Sequence, residues 1–171
     1  MIESRGLNRT EKKMNYLFRG VCDETDQIND AMLRPAGRLS HVLLTRGDSA
    51  LLFKENKKGV PRDCSITRYP SETNSVRSQH IESGLNDNCF VSFSKSRDVA
   101  YRYATTNSDG ERASGFIYVV DPARFEQYGV TAITVENPYF PGEMEVSLRA
   151  SDCGDLPEGI IVRKIPVTPY E

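Results

Sequence analysis

Three polar residues stand in stretches whose neighbours read as β-strand, where an apolar side chain is the ordinary choice. Arg19 lies within Tyr16-Leu17-Phe18-Arg19-Gly20, Ser92 within Phe90-Val91-Ser92-Phe93-Ser94, and Glu145 within Glu143-Met144-Glu145-Val146-Ser147. Side chains alternate along a strand with period two, so on a strand Glu143 and Glu145 project from one face. Two neighbouring carboxylates repel, and their pairing calls for a cation or for a functional use. Arg19 is a fitting cation, because a guanidinium stays charged and can hold phosphate or carboxylate oxygens bidentately. Taken singly, each residue also has an ordinary structural reading. Arg19 is then a strand-edge ion pair with Glu143, Ser92 a sheet residue, and the carboxylates a solvated face.

The elements that must position these groups are short. Residues 14–21 read as an aromatic-rich strand closed near a glycine. From Asp23 to Leu44 the spacing of Ile28, Met32, Leu33, Leu39, Val42 and Leu43 is partly helical, interrupted by Pro35 and Gly37. Residues 54–79 read as loop, with the lysines of Lys54-Glu55-Asn56-Lys57-Lys58-Gly59 as a solvated turn. Cys89 to Ser94 predicts a second strand, followed by a short helix with Ser96 as its N-cap. Gly115 to Val120 predicts a third strand stopped at Asp121-Pro122, and Thr131 to Val135 a fourth. Glu143 to Leu148 alternates, and Gly159 to Val167 closes the chain as one long strand or a strand pair. Strands separated by short helices, with little βαβ alternation, predict an α+β domain with mainly antiparallel pairing. No internal repeat, linker or second domain is visible.

With 171 residues, the chain suits one domain able to bury a core without metal or disulfide staples. Hydrophobic residues at 38% and charged residues at 27% place it among globular proteins. The formal net charge of -2 gives no whole-chain argument for nucleic acid as a partner. No run approaches the roughly 20 apolar residues of a membrane span, and the polar start MIESRGLNRTEKKMNY lacks the apolar core of a cleaved signal. Cys22, Cys64, Cys89 and Cys153 are scattered, without a C-x-x-C and with only two histidines, so no metal is expected. Free thiols are the plain reading, with a disulfide left open.

The ordered set Arg19, then Ser92-Phe93-Ser94, then Glu143-Met144-Glu145 resembles the mono-ADP-ribosyltransferase toxins related to cholera toxin. That group is identified by an Arg, a Ser-x-Ser and a Glu-x-Glu in this order. The flanks match as well: an aromatic and a valine precede the first serine, a short helix follows it, and Glu-Val-Ser closes the last motif. Each motif alone is weak; the ordered three, over roughly residues 14–167, are fairly specific. One departure is Phe93, where threonine is common.

The resemblance implies an ADP-ribosyltransferase-type fold, two packed and mainly antiparallel β-sheets with short flanking helices. Residues 1–13 read as a polar lead-in, and the resemblance implies a single catalytic domain over residues 14–171. It also implies NAD as co-substrate, with Arg19, Ser92, Phe93, Ser94 and Glu145 on the cofactor. Ser92 would hold Glu145, and Glu145 would stabilise the positive charge formed as nicotinamide leaves. Glu143 would orient and help deprotonate the acceptor, with arginine expected and threonine or another side chain as the alternative. Tyr139 and Phe140, in the loop before Glu143, are expected to read the target protein together with Glu143. His80 falls where some cholera-like members carry an assisting histidine, although a surface histidine is the preferred reading. The implied setting is a secreted effector or toxin acting on a host protein in the cytosol of a target cell. The rival readings are an NAD-hydrolysing toxin and a non-enzymatic binding module of the same fold.

Overall fold

The computed structural model describes residues 15–40, 88–134 and 140–170. Within them are six strands: β1 (Leu17–Cys22), β2 (Val91–Ser94), β3 (Gly115–Val120), β4 (Thr131–Ile133), β5 (Glu145–Arg149) and β6 (Ile161–Val167). They form a single antiparallel sheet in the order β4-β5-β2-β1-β3-β6. Two short helices accompany it, α1 (Asp23–Ile28) and α2 (Arg97–Ala104). An α+β chain of antiparallel strands is therefore what the sequence builds. The expected two packed sheets are corrected to one, because the three-stranded halves β4-β5-β2 and β1-β3-β6 stay joined through the pair Phe18 and Ser94.

Alternation along the strands loads both faces. Leu17 and Val21 of β1, Val91 and Phe93 of β2, Tyr118 and Val120 of β3, and Val146 and Leu148 of β5 share one buried cluster. Ile117 and Val119 of β3 turn the other way and meet Ala100 and Ala104 of α2. The edge strand β6 carries Arg163, Lys164 and Pro166, residues that discourage pairing with a further strand.

Helix α2 starts where expected, with the Ser96 hydroxyl accepting from the Val99 amide at 3.4 Å. Its small residues let it lie directly on β1. A Cβ added at Gly20 would stand 1.7 Å from the Ala100 carbonyl oxygen and 2.6 Å from the Ala104 amide nitrogen. Both are backbone atoms, so α2 as a whole would have to move. Gly20→Ala is expected to cost more than the about 1–3 kcal/mol of ordinary overpacking, measured as a lowered thermal midpoint. An unchanged midpoint would contradict this contact.

Helix α1 is shorter than the apolar spacing suggests. It follows β1 at once, with three acids in its first turn, Asp23, Glu24 and Asp26, where they complement the helix dipole. Asp30 and Ala31 then adopt left-handed φ values of 55° and 57° and stop it. Leu33 is consequently buried, while Ile28, Met32 and Leu39 face solvent. Val42 and Leu43 lie outside the described residues.

Asp26, buried on α1, ties the helix to the sheet. Its carboxylate accepts from the Tyr118 hydroxyl at 2.6 Å and from Lys164 Nζ at 2.7 Å, and Nζ also sits 4.1 Å from the centre of the Phe116 ring. Burial works against the Lys164 charge, but the hydrogen bonds to Asp26 and Tyr118 outweigh it and raise its pKa. The described cysteines, Cys22, Cys89 and Cys153, are free. Cys89 and Cys153 nevertheless meet, and burial, then this contact, pushes the Cys89 thiol up to about 12, which makes it inert at neutral pH.

Candidate active site

The junction between the sheet halves produces the site. Continuing the register from Phe18 and Ser94 would set Gly20 opposite Ser92, but the β1–β2 ladder carries the one pair and the strands part beyond it. Arg19 spans the gap, its Nη1 donating to the Ser92 carbonyl oxygen at 2.8 Å. Burial holds the Arg19 guanidinium below the usual arginine pKa, while Glu145 and then Tyr118 act to raise it. The resulting cleft of about 650 Å³ is lined by Arg19, Ser92, Ser94, Tyr103, Glu143 and Glu145 among others. Its volume falls in the range of about 300–1,000 Å³ common to small-molecule and cofactor sites.

Ser94 fastens the acidic motif to the sheet. It is buried, and its hydroxyl donates to the Glu143 carbonyl oxygen at 2.6 Å while accepting from the Ser96 amide at 2.9 Å. Lys95 adds a backbone bond to the Met144 carbonyl at 3.1 Å. Glu145 opens β5 directly opposite Ser94, and Ser92 stands opposite the fully buried Ser147. Ser92 is thus the diagonal neighbour of Glu145 on the same face, within reach of a long side chain.

The expectation that Glu143 and Glu145 share the face of one strand is corrected. Pro141 opens a 3-10 turn over Pro141–Glu143, in which the Glu143 amide donates to the Phe140 carbonyl at 3.1 Å. Met144 then takes the left-handed conformation at φ 48° and ψ 44° before the strand begins at Glu145. The proline, the glycine after it and the reversed Met144 break the alternation, so the two carboxylates reach one cleft from different elements. Their spacing is kept in the sequence, but the mechanism that brings them together is a turn.

Phe93 lines the cleft, yet its side chain is buried in the core opposite Val146, on the face away from Ser92 and Ser94. Any role toward a cofactor therefore falls to its backbone. Phe140 is half exposed at the cleft rim. Tyr139, His80, Cys64, the lead-in over residues 1–13 and the loop over residues 54–79 lie outside the described residues.

Tyr103 and Arg34 are among the cleft residues that the motifs do not mark. Tyr103 donates its hydroxyl to Glu143 Oε1 at 2.5 Å. Arg34 lines the cleft and is held by Asp155 at 3.2 Å and by Asp30 at 3.1 Å. The signal for Tyr103 was its place on the helix that follows Ser-x-Ser. Arg34 carries no local signal. Among the described residues there is no group of three or more His, Cys, Asp or Glu able to hold a metal ion, and no helix long and apolar enough to cross a membrane.

The family model NarE matches residues 16–148, a span that takes in Arg19, Ser-x-Ser and Glu-x-Glu together. The chain belongs to the NarE family, an ADP-ribosyltransferase-like family. No curated protein matches it.

Proposed function

We propose that this chain transfers ADP-ribose from NAD to an arginine side chain of a target protein, with release of nicotinamide, and that it works as a toxin or secreted effector. The observation that carries the reading is one cleft lined by Arg19, Glu145 and Glu143, in which the Glu145 charge supports that of Arg19 and Glu143 is set on a separate turn. Membership of an ADP-ribosyltransferase-like family supports it.

In this reading Arg19 takes the phosphate or ribose oxygens of NAD, for which its fixed fork is suited. Ser92 steadies Glu145. The bond between C1′ of the ribose and the nicotinamide nitrogen breaks, and nicotinamide departs with the bonding electrons as a neutral molecule. The ribose is left as an oxocarbenium-like centre, as in glycoside hydrolysis. Glu145, a fixed carboxylate in a partly desolvated cleft, stabilises that charge as it develops. Fixed groups of this kind contribute about 2.7–4 kcal/mol, judged by deletions of a single preorganised donor.

The acceptor guanidinium, ordinarily charged because its pKa exceeds about 12, must lose a proton to form the new N–C1′ bond. Glu143 holds the guanidinium and receives that proton. Phe140 at the rim, with Tyr139 before it, would contact the target.

The acceptor class is tested with agmatine, a small guanidinium compound. Added agmatine should take up labelled ADP-ribose and compete with labelling of protein. Labelled protein that is indifferent to agmatine, and resistant to chemistry that releases arginine-linked ADP-ribose, would move the acceptor to threonine or another side chain.

A further inference from the structure

Glu143 is poorly held by its own segment. It sits on a one-turn 3-10 element bounded by the exposed Phe140 and Met144, where a glutamate side chain would sample several rotamers. What fixes it comes from α2. At the start of the helix, Ser96 caps α2 and donates its amide to Ser94, whose hydroxyl holds the Glu143 carbonyl. At the other end of the same helix, Tyr103 donates to Glu143 Oε1. The carboxylate and its backbone are thus tied to one rigid element at two points.

We propose that Tyr103 is the positioning residue for Glu143, orienting the carboxylate so that Oε1 is engaged by the phenol and Oε2 is presented to the acceptor guanidinium. The inference rests on the transferase reading above and adds to it a residue outside the three motifs. Among the described residues nothing else binds the Glu143 carboxylate. The phenol is suited to the task. Burial first, then the hydrogen bond and charge of Glu143, then the charge of Glu145, push its pKa up to about 12, so it is a neutral donor throughout the physiological range. A neutral donor orients the carboxylate without cancelling the charge needed to attract a cation. A lysine at this position would form an ion pair that competes with the acceptor. The ring is also half exposed, beside the place where the guanidinium must arrive, and it offers a flat surface on which a planar cation can stack.

The test is Tyr103→Phe, which keeps the ring and removes the hydroxyl. Both activities are followed in the purified full chain: transfer of labelled ADP-ribose to agmatine, and release of nicotinamide without an acceptor. The ratio of transfer to hydrolysis is expected to fall about tenfold, the size of one hydrogen bond to a charged group. The loss should appear in kcat/KM for agmatine and much less in KM for NAD. In a Glu143→Gln background, the same substitution should change the ratio by less than about twofold, since coupled residues are not additive. An unchanged ratio in Tyr103→Phe, or an equal fall in both activities, would overturn the positioning role while leaving the transferase reading intact. A wild-type chain that consumes no NAD would instead overturn the transferase reading and this inference with it.

Discussion

Glu145→Gln is expected to lower nicotinamide release and ADP-ribose transfer together, by about 10²–10³-fold or more. The substitution keeps the shape of the side chain and its capacity to accept hydrogen bonds, so it isolates the charge. Positive charge builds on the ribose before any acceptor takes part, and hydrolysis and transfer share that step. A residue that acts there must affect both. The surroundings make the charge matter. Glu145 opens β5 and lines the same cleft as the Arg19 guanidinium, whose own charge is disfavoured by burial and supported by this carboxylate. Removing the carboxylate's charge leaves the Arg19 guanidinium less compensated, which opposes the developing ribose cation. The check is a kinetic comparison of the two activities, alongside circular dichroism to establish that the fold is retained. Full activity in the variant would remove Glu145 from the mechanism.

Glu143→Gln is expected to separate the two activities. Transfer to arginine should fall by about 10²–10⁴-fold, the usual contribution of a positioned general base, while hydrolysis should fall much less. Glutamine retains an oxygen to accept from Tyr103, and its backbone keeps the bonds to Ser94 and Phe140, so the turn should persist. What it cannot do is attract a guanidinium or take its proton. The position of Glu143 on a turn, apart from the strand that carries Glu145, fits the proposed division, in which the two carboxylates would serve different halves of the reaction. A variant that loses both activities equally would place Glu143 in bond breaking and contradict this division.

Much of the frame was legible in the sequence because it depends on local chemistry. β3 runs from Gly115 to Val120 as read, since an apolar run meets the Asp121-Pro122 stop, and Asp121 caps the following turn by accepting from the Ala123 amide at 3.0 Å. The Ser96 cap of α2 was readable for the same reason. Arg19, Ser92 and Glu145, which line one cleft, stand out in the sequence because each places a polar group within an apolar strand pattern.

The rest depended on long-range geometry. Period-two spacing suggested that Glu143 and Glu145 share a strand face, and only the left-handed Met144 reveals that they do not. Tyr103 meets Glu143 across 40 positions of sequence, and Arg19 meets Ser92 across 73. No local pattern marks either contact. Two packed sheets were expected where a single pair, Phe18 with Ser94, joins the halves into one. The same junction opens the cleft, so the feature least visible in the sequence is the one that creates the site.

The most direct test of the transferase account is to incubate the purified chain with labelled NAD and a eukaryotic cell lysate, beside the Glu145→Ala variant. The account predicts a labelled protein band with the wild type, free nicotinamide in step with it, and neither with the variant. Nicotinamide released without a labelled protein would point to hydrolysis of NAD, and the absence of both signals from the wild type would contradict the account.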